Sequence, residues 1–185
     1  MNKMIVGAFS ALLLAGGATG IALAGAAATT GDGLWARLTS GRDVPLITSE
    51  SYATECGSCH FAYQPGLLPA DGWARIMGAL DDHFGDDATL DPAVAKDLGD
   101  YLAANAANDT RSIRSRAFAA YPLPADGLPR ISKTVFFQRR HGEIPARLVK
   151  DNPQVKSFSQ CDKCHRLAAK GHFYESSVII PGGEG

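Results

Sequence analysis

The chain has 185 residues, a formal net charge of −1 and 45% hydrophobic residues. It lacks a basic stripe interleaved with aromatic residues, which argues against binding to nucleic acid. The charges are unevenly spread, because residues 71–109 contain nine acidic and two basic residues, whereas residues 110–170 contain four acidic and thirteen basic ones. We therefore expect a dipolar surface that can steer a charged partner toward one end.

The N-terminal segment predicts export. Lys3 gives a short positive start, and residues 4–28 carry no charge and end in small residues. This pattern indicates a signal peptide over residues 1–28, cleaved after about residue 24 or 28. The uncharged run exceeds the usual apolar core of about 15 residues, so an uncleaved membrane anchor is the alternative. In either case we expect the rest of the chain outside the cytoplasm, in a bacterial periplasm.

The pattern Cys-x-x-Cys-His occurs twice and uses all four cysteines. On a helical turn, residues i, i+3 and i+4 share one face. Both thiols can then bond to the two vinyl groups of a haem while the histidine binds its iron. We interpret the motifs as attachment sites for two covalently bound c-type haems. Their residues are Cys56, Cys59 and His60 in the first motif and Cys161, Cys164 and His165 in the second.

Structural zinc and disulfide bonds are the two other interpretations of these cysteines. Zinc explains the cysteines but not the histidine that follows each pair, and disulfide bonds explain neither histidine. Haem attachment explains all six residues. A chain of this size has a modest protein-only core, so we expect each haem to form the apolar centre of its half.

The first motif is predicted to begin on a helix. Thr48 or Ser49 can cap a short helix over residues 51–60, and a loop with two prolines follows at residues 65–69. The Pro65 carbonyl is a candidate to hold the proximal imidazole, as in mitochondrial-type cytochromes c. A simple turn is the alternative.

Two further helices are predicted before the middle of the chain. Apolar residues at helical spacing predict a helix over residues 73–84, which Gly85 would end. Asp91 as the N-cap and Pro92 in the first turn predict the next helix.

The second half has weaker signals. The polar segment 105–115 is predicted as a linker, and prolines and glycines keep residues 121–129 irregular. Short helices are predicted over residues 134–141 and 146–150 and around Cys161. No strand pattern is present.

We predict a mainly α fold with two unlike haem domains. Only twenty residues follow His165, which is too few for a second domain that opens with its haem motif. Residues 29–108 are expected to form a first haem domain that resembles class I cytochrome c. Residues 109–185 are expected to form an irregular, helix-poor second haem domain.

The remaining axial ligands have few candidates, namely His83, His141, His172 and Met77. For the first haem, His83 and Met77 lie on one predicted helix about 120° apart, so only one can face the iron. Met77 is explained as a core residue, which favours His83. For the second haem, His172 follows His165 too closely to reach the opposite face, which favours His141. Met77 and His172 are the weaker alternatives.

Four segments together resemble the periplasmic dihaem cytochrome c family, whose members are redox partners of a small oxygen-binding monohaem cytochrome. They are residues 56–69, 80–85, 141–147 and 157–165. The resemblance extends from about residue 48 to residue 181.

This resemblance implies bis-histidine ligation, through His60 with His83 and through His165 with His141. It also implies electron transfer rather than catalysis. The family commonly has an acidic residue where His172 stands, so that position inherits no role. As partners we expect a small monohaem c-type cytochrome and a membrane-bound electron donor, with membrane contact only if the N-terminal segment is uncleaved.

The predicted function is electron transfer through two low-potential haems, because histidine favours ferric iron whereas methionine raises the potential. The alternative is a small haem enzyme of the peroxidase or reductase type. It would need one five-coordinate haem, which requires that His83 or His141 is not a ligand. A ligand-binding sensor is a third class, but no signalling domain accompanies the motifs.

Overall fold

The computed structural model describes residues 43–109 and 111–183. The predicted signal peptide and the start of the first predicted domain lie outside the described residues. Within them, the α-helices are α1 Glu50–Gly57, α2 Ala70–Met77, α3 Pro92–Ala104, α4 Ile113–Ala119, α5 Val135–His141 and α6 Cys161–Cys164. Short 3-10 turns at Pro65–Leu67, Leu80–Asp82, Ala107–Asp109, Ile131–Lys133, Ala146–Leu148, Ala168–Lys170 and Glu175–Ser177 connect them. The predicted mainly α fold is confirmed.

Side-chain caps define where the helices begin. Ser49 accepts a hydrogen bond from the Tyr52 amide at the start of α1. Asp91 accepts from two amides at the start of α3, where Pro92 occupies the first turn. Thr134 caps α5 in the same way. Each cap satisfies amides that have no partner inside the helix. The capped starts predicted at Ser49 and Asp91 are confirmed, and the helix predicted over residues 134–141 begins one residue later because Thr134 is its cap.

The single helix predicted over residues 73–84 is wrong. Helix α2 ends at Met77, with Gly78 as its C-cap, and Ala79 leaves the helical region with φ −143°. Glycine has a low helix propensity, and the chain continues as a 3-10 turn that ends at Asp82. His83 and Met77 therefore do not share a helix.

The linker predicted over residues 105–115 is also wrong. Ala106 and Ala107 are fully buried, and the Ala107 amide donates to the Leu68 carbonyl at 3.0 Å. Helix α4 follows, capped by Ser112, and buries Phe118. Small apolar residues in a polar stretch gave too weak a signal for this packing.

Two hydrophobic clusters form the core. The first core cluster consists of Tyr52, Leu68, Trp73, Ile76, Leu98, Leu102 and Ala106. The second core cluster consists of Val44, Leu67, Ala107, Phe118, Phe137, Ala168 and Phe173. Tyr63 and Ile131 pack against both clusters and join them. The second cluster takes Val44 and Leu67 from the first half of the chain, so the two halves share their core.

No strand longer than an isolated bridge occurs within residues 43–109 and 111–183. One bridge pairs His83 with Asp86, and the other pairs His165 with Val178. Each bridge therefore fixes the backbone at a candidate iron ligand. In the same part of the chain, no helix is long and apolar enough to cross a membrane.

Candidate functional site

The first pair of histidines consists of His60 and His83. His60 follows the end of α1, and His83 follows the 3-10 turn that ends at Asp82. Their ring centres lie 6.2 Å apart, and the ring planes differ by only 18°. The structure thus brings together two of the side chains that were predicted as iron ligands.

Backbone contacts orient both rings of this pair. The Nδ1 of His60 donates to the Phe61 carbonyl at 2.8 Å, which leaves Nε2 as the nitrogen available to a metal. The His83 amide donates to the Asp86 carbonyl at 2.7 Å. Between them, Phe84 adopts φ 60° and Gly85 adopts φ 103°. A non-glycine residue in the left-handed region is strained. The turn that presents His83 therefore costs some folding free energy at Phe84.

The second pair consists of His141 and His165. His141 is the last residue of α5, and His165 follows the one-turn helix α6. Their ring centres lie 6.1 Å apart, and the planes differ by 72°. The spacing matches that of the first pair, whereas the relative ring orientation does not.

Aromatic side chains surround the second pair. Phe137 stacks on His141 with centres 3.9 Å apart and planes 7° apart, and its carbonyl accepts from the His141 Nδ1 at 2.9 Å. Phe158 contacts His141 by its edge, and Phe173 lies 5.3 Å from the His165 ring. Burial lowers the pKa of His165 to about 4, and the neighbouring His141 and Arg114 add to the shift.

Both separations fit one metal ion between two imidazoles. A metal–imidazole bond is about 2 Å long and the ring centre lies about 1 Å beyond the nitrogen, so the two ring centres should be about 6 Å apart. Nδ1 of His83 and Nδ1 of His165 are buried and have no hydrogen-bond partner, but the same is true of Nδ1 of His172, so this property does not identify the ligands. Burial also lowers the pKa of His83 and of His141. Neutral imidazoles are the form that binds a metal.

Three of the four cysteines lie in environments that favour neutral sulfur. Burial raises the pKa of Cys56 to about 11 and that of Cys161 to about 12, and it also raises the pKa of Cys164. A zinc site needs thiolates, which burial disfavours here, whereas a thioether carries no charge. Within residues 43–109 and 111–183, no group of three or more His, Cys, Asp or Glu side chains could hold a metal ion. The structural zinc alternative therefore lacks a site in this part of the chain.

Met77 and His172, the weaker candidates, lie elsewhere. Met77 is half-buried and packs against the first core cluster. His172 stacks on Tyr174, with ring centres 5.6 Å apart. Neither ring pair includes them, because His60 faces His83 and His165 faces His141.

The Pro65 carbonyl does not hold the imidazole of His60, the role for which it was a candidate. It accepts a hydrogen bond from the indole of Trp73 at 2.7 Å, while Phe61 supplies the carbonyl next to His60. The carbonyl immediately after the motif is the nearer acceptor, and the buried indole needs a partner of its own.

Charged neighbours of the two pairs could not be foreseen from the sequence. Arg130 lies over the Phe84 ring at 4.0 Å, next to His83. Arg114 forms a largely buried ion pair with Asp43 at 3.2 Å, and Asp43 also accepts from the Phe173 amide. Their spacing in the sequence does not distinguish these two arginines from the other basic residues of segment 110–170.

The model of the dihaem cytochrome c family matches residues 52–173 of the chain. The chain belongs to this family. It therefore carries two c-type haems, for which its four cysteines provide the covalent attachment, and the family supports a role as a haem electron carrier.

Solved structures agree with this assignment. A diheme cytochrome type c from Shewanella baltica OS155 is 44% identical, with a TM-score of 0.61, and the match covers 74% of this chain and 96% of that one. A diheme cytochrome c from Rhodobacter sphaeroides is 37% identical, with a TM-score of 0.59, over 69% and 98% of the two chains. A second structure from that organism is 35% identical, with a TM-score of 0.56, over 70% and 100%. A comparison with curated proteins found no match.

Proposed function

We propose that this cytochrome transfers electrons in the periplasm through two bis-histidine haems of low potential. The observation that carries the proposal is the facing of His60 with His83 and of His165 with His141, each pair at the spacing of two ligands of one metal. The haem iron, when bound, supplies reversible one-electron chemistry. The protein supplies the four imidazoles and the apolar surroundings.

The ligand pairs also support electron transfer over catalysis. Two histidines bound to one iron would leave no open coordination position, which peroxide, nitrite or oxygen chemistry requires. Histidine donates more strongly than a thioether and stabilises ferric iron, which lowers the potential. Met77, the thioether that would raise it, packs into the first core cluster instead.

Axial ligation is tested by the ferric electron paramagnetic resonance spectrum, recorded with and without cyanide, and by adding carbon monoxide to the reduced protein. We expect two low-spin haems that bind neither ligand rapidly. A high-spin signal, or rapid carbon monoxide binding by one haem, would instead favour the small haem enzyme.

The surface charges support docking of redox proteins at two different faces. Acidic residues flank His83 closely, and Asp81, Asp82, Asp86 and Asp87 are all exposed. In the basic half, Arg139, Arg140 and Lys156 are exposed. A small monohaem c-type cytochrome and a membrane-bound donor are the proposed partners. Complementary charge would act chiefly on the rate of encounter.

The proposed periplasmic location rests on the signal peptide predicted over residues 1–28. It is tested by fractionating cells that express the full chain and by determining the N-terminus of the mature protein. Mature protein in the periplasmic fraction that starts near residue 25 or 29 is expected. Intact chain in the membrane fraction would establish the uncleaved anchor.

A further inference from the structure

The two histidine pairs differ in the relative orientation of their rings. His60 and His83 are nearly parallel, with 18° between their planes, whereas His141 and His165 are nearly crossed, with 72°. The ring separations differ by only 0.1 Å. Orientation, rather than spacing, therefore distinguishes the two pairs.

One residue controls the plane of His141 in two ways. Phe137 lies one helical turn before His141 on α5, so both side chains share a helix face. Its ring stacks on the imidazole at 3.9 Å with a 7° angle, and its carbonyl accepts from Nδ1 at 2.9 Å. Phe137 is itself buried in the second core cluster. The His141 ring therefore cannot rotate without losing the stack and the hydrogen bond together.

A different segment of the chain holds the backbone of His165. Its backbone forms an isolated bridge with Val178, and the Ile179 amide donates to the Cys164 carbonyl at 3.0 Å. Phe173 flanks its ring. Since independent segments hold His141 and His165, the crossed angle results from tertiary packing.

Ring orientation matters because each imidazole interacts by π donation with one of two iron d orbitals. Two parallel rings raise the energy of the same d orbital. Two crossed rings each raise the energy of a different d orbital, so the two orbitals stay nearly equal in energy. In low-spin ferric iron, parallel rings give a rhombic electron paramagnetic resonance spectrum. Crossed rings give a strongly anisotropic spectrum with a single large g value. Oxidation removes an electron from the higher orbital, so crossed rings favour the ferric state less.

We propose that Phe137 is a positioning residue that holds the His141 ring across that of His165. The crossed pair makes the second haem a stronger electron acceptor than an aligned pair would. This inference rests on the proposed bis-histidine ligation. It gives the two haems different electronic structures although their ligands are the same.

The electron paramagnetic resonance spectrum of the unmodified holoprotein provides the first test. We expect two low-spin ferric signals, one rhombic and one with a single large g value. Two rhombic signals would overturn the inference and leave the proposed ligation intact, whereas a high-spin signal would overturn the ligation itself.

The Phe137→Leu variant tests the positioning role. It removes the stack but keeps His141 and the backbone carbonyl of residue 137, which accepts from the His141 Nδ1, so it isolates the contribution of the aromatic ring. We expect loss of the large-g signal, a second rhombic low-spin signal and a lower potential for the second haem, measured in a redox titration followed by electron paramagnetic resonance. Phe137→Tyr retains an aromatic ring and should restore both properties. A large-g signal that persists in Phe137→Leu, or a potential that does not fall, would overturn the proposal.

The matched control is Phe136→Leu. Phe136 is the neighbouring residue on α5, and its ring packs edge-on against Phe118 at 4.8 Å rather than on a histidine. A loss of apolar volume at this position should leave both signals unchanged. An equal effect of both leucine variants would show that general loosening of α5, rather than the stack, controls the spectrum.

Discussion

The two haem sites present their histidines in opposite chain order. In the first site the motif histidine comes first and His83 follows 23 residues later, whereas in the second His141 precedes His165 by 24 residues. The ring separations are nevertheless 6.2 and 6.1 Å. A pair of facing histidines therefore requires two segments that meet, and the order in which the chain supplies them does not matter.

The sites also differ in how the non-motif histidine is held. His83 lies in a tight turn with two positive φ angles and is half-buried. His141 ends a helix and is packed among aromatic rings. Local backbone conformation therefore dominates at the first site and tertiary packing at the second.

The largest expected effects come from the proposed ligands His83 and His141. His83→Ala should convert only the first haem to high spin, and His141→Ala only the second, because each removes one facing ring. Electron paramagnetic resonance and carbon monoxide binding measure both changes. His172→Ala and Met77→Leu are the controls and should leave ligation unchanged. If Met77→Leu alone produced a high-spin haem, the assignment of the first site would be wrong.

The next largest effect is expected from a backbone change in the turn after His83, which should affect the first site and not the second. Gly85→Ala forces a side chain into φ 103°, although its Cβ would meet no atom within 4 Å. We expect a loss of about 1–2 kcal/mol of stability, measured by denaturant unfolding, together with a spectral change confined to the first haem.

Gly99→Ala in α3 is the matched control for Gly85→Ala. The space around Gly99 is equally open, but its conformation is helical. Alanine should therefore stabilise the protein by about 0.5–1 kcal/mol. Equal effects of the two substitutions would contradict the importance of the turn after His83.

Removal of the Tyr63 hydroxyl should weaken the connection between the two regions. The Tyr63 ring lies 5.2 Å from that of His60, and its hydroxyl donates to the Ser159 carbonyl at 2.6 Å, two residues before Cys161. Tyr63→Phe should cost about 1 kcal/mol and slow electron exchange between the haems, measured by pulse radiolysis.

Tyr101→Phe serves as the control for Tyr63→Phe. The Tyr101 hydroxyl accepts from the Thr48 amide, within the first half of the chain. Its loss should have a similar effect on stability but none on exchange between the haems. A similar slowing by both variants would show that Tyr63 has no special position between the sites.

The smallest effect is expected for docking. Charge reversal at Arg139, Arg140 and Lys156 should slow reduction by an acidic partner several-fold and spare exchange with a basic one. Stopped-flow rates at increasing salt should fall toward those of the variant, because the Debye length is only about 8 Å at physiological ionic strength. Rates indifferent to salt and to charge reversal would indicate apolar docking.

Local chemistry made much of this protein predictable. Two Cys-x-x-Cys-His motifs predicted two covalently attached haems, and the caps at Ser49 and Asp91 predicted where two helices begin. These signals act over at most four residues, so they can be recognised in the sequence without knowledge of the fold. The mainly α class follows from the same helical spacing.

Tertiary structure decided how the segments meet. The helix over residues 73–84 ends early at Gly78, and the predicted linker contributes Ala106 and Ala107 to the core. His83 is placed by a turn, the His141 ring stacks on Phe137, and the backbone of His165 pairs with the chain that returns at Val178. Local propensity contains no information about contacts between distant segments. The sequence by itself therefore determined the cofactors and the candidate ligands, whereas packing decided their pairing and relative orientation.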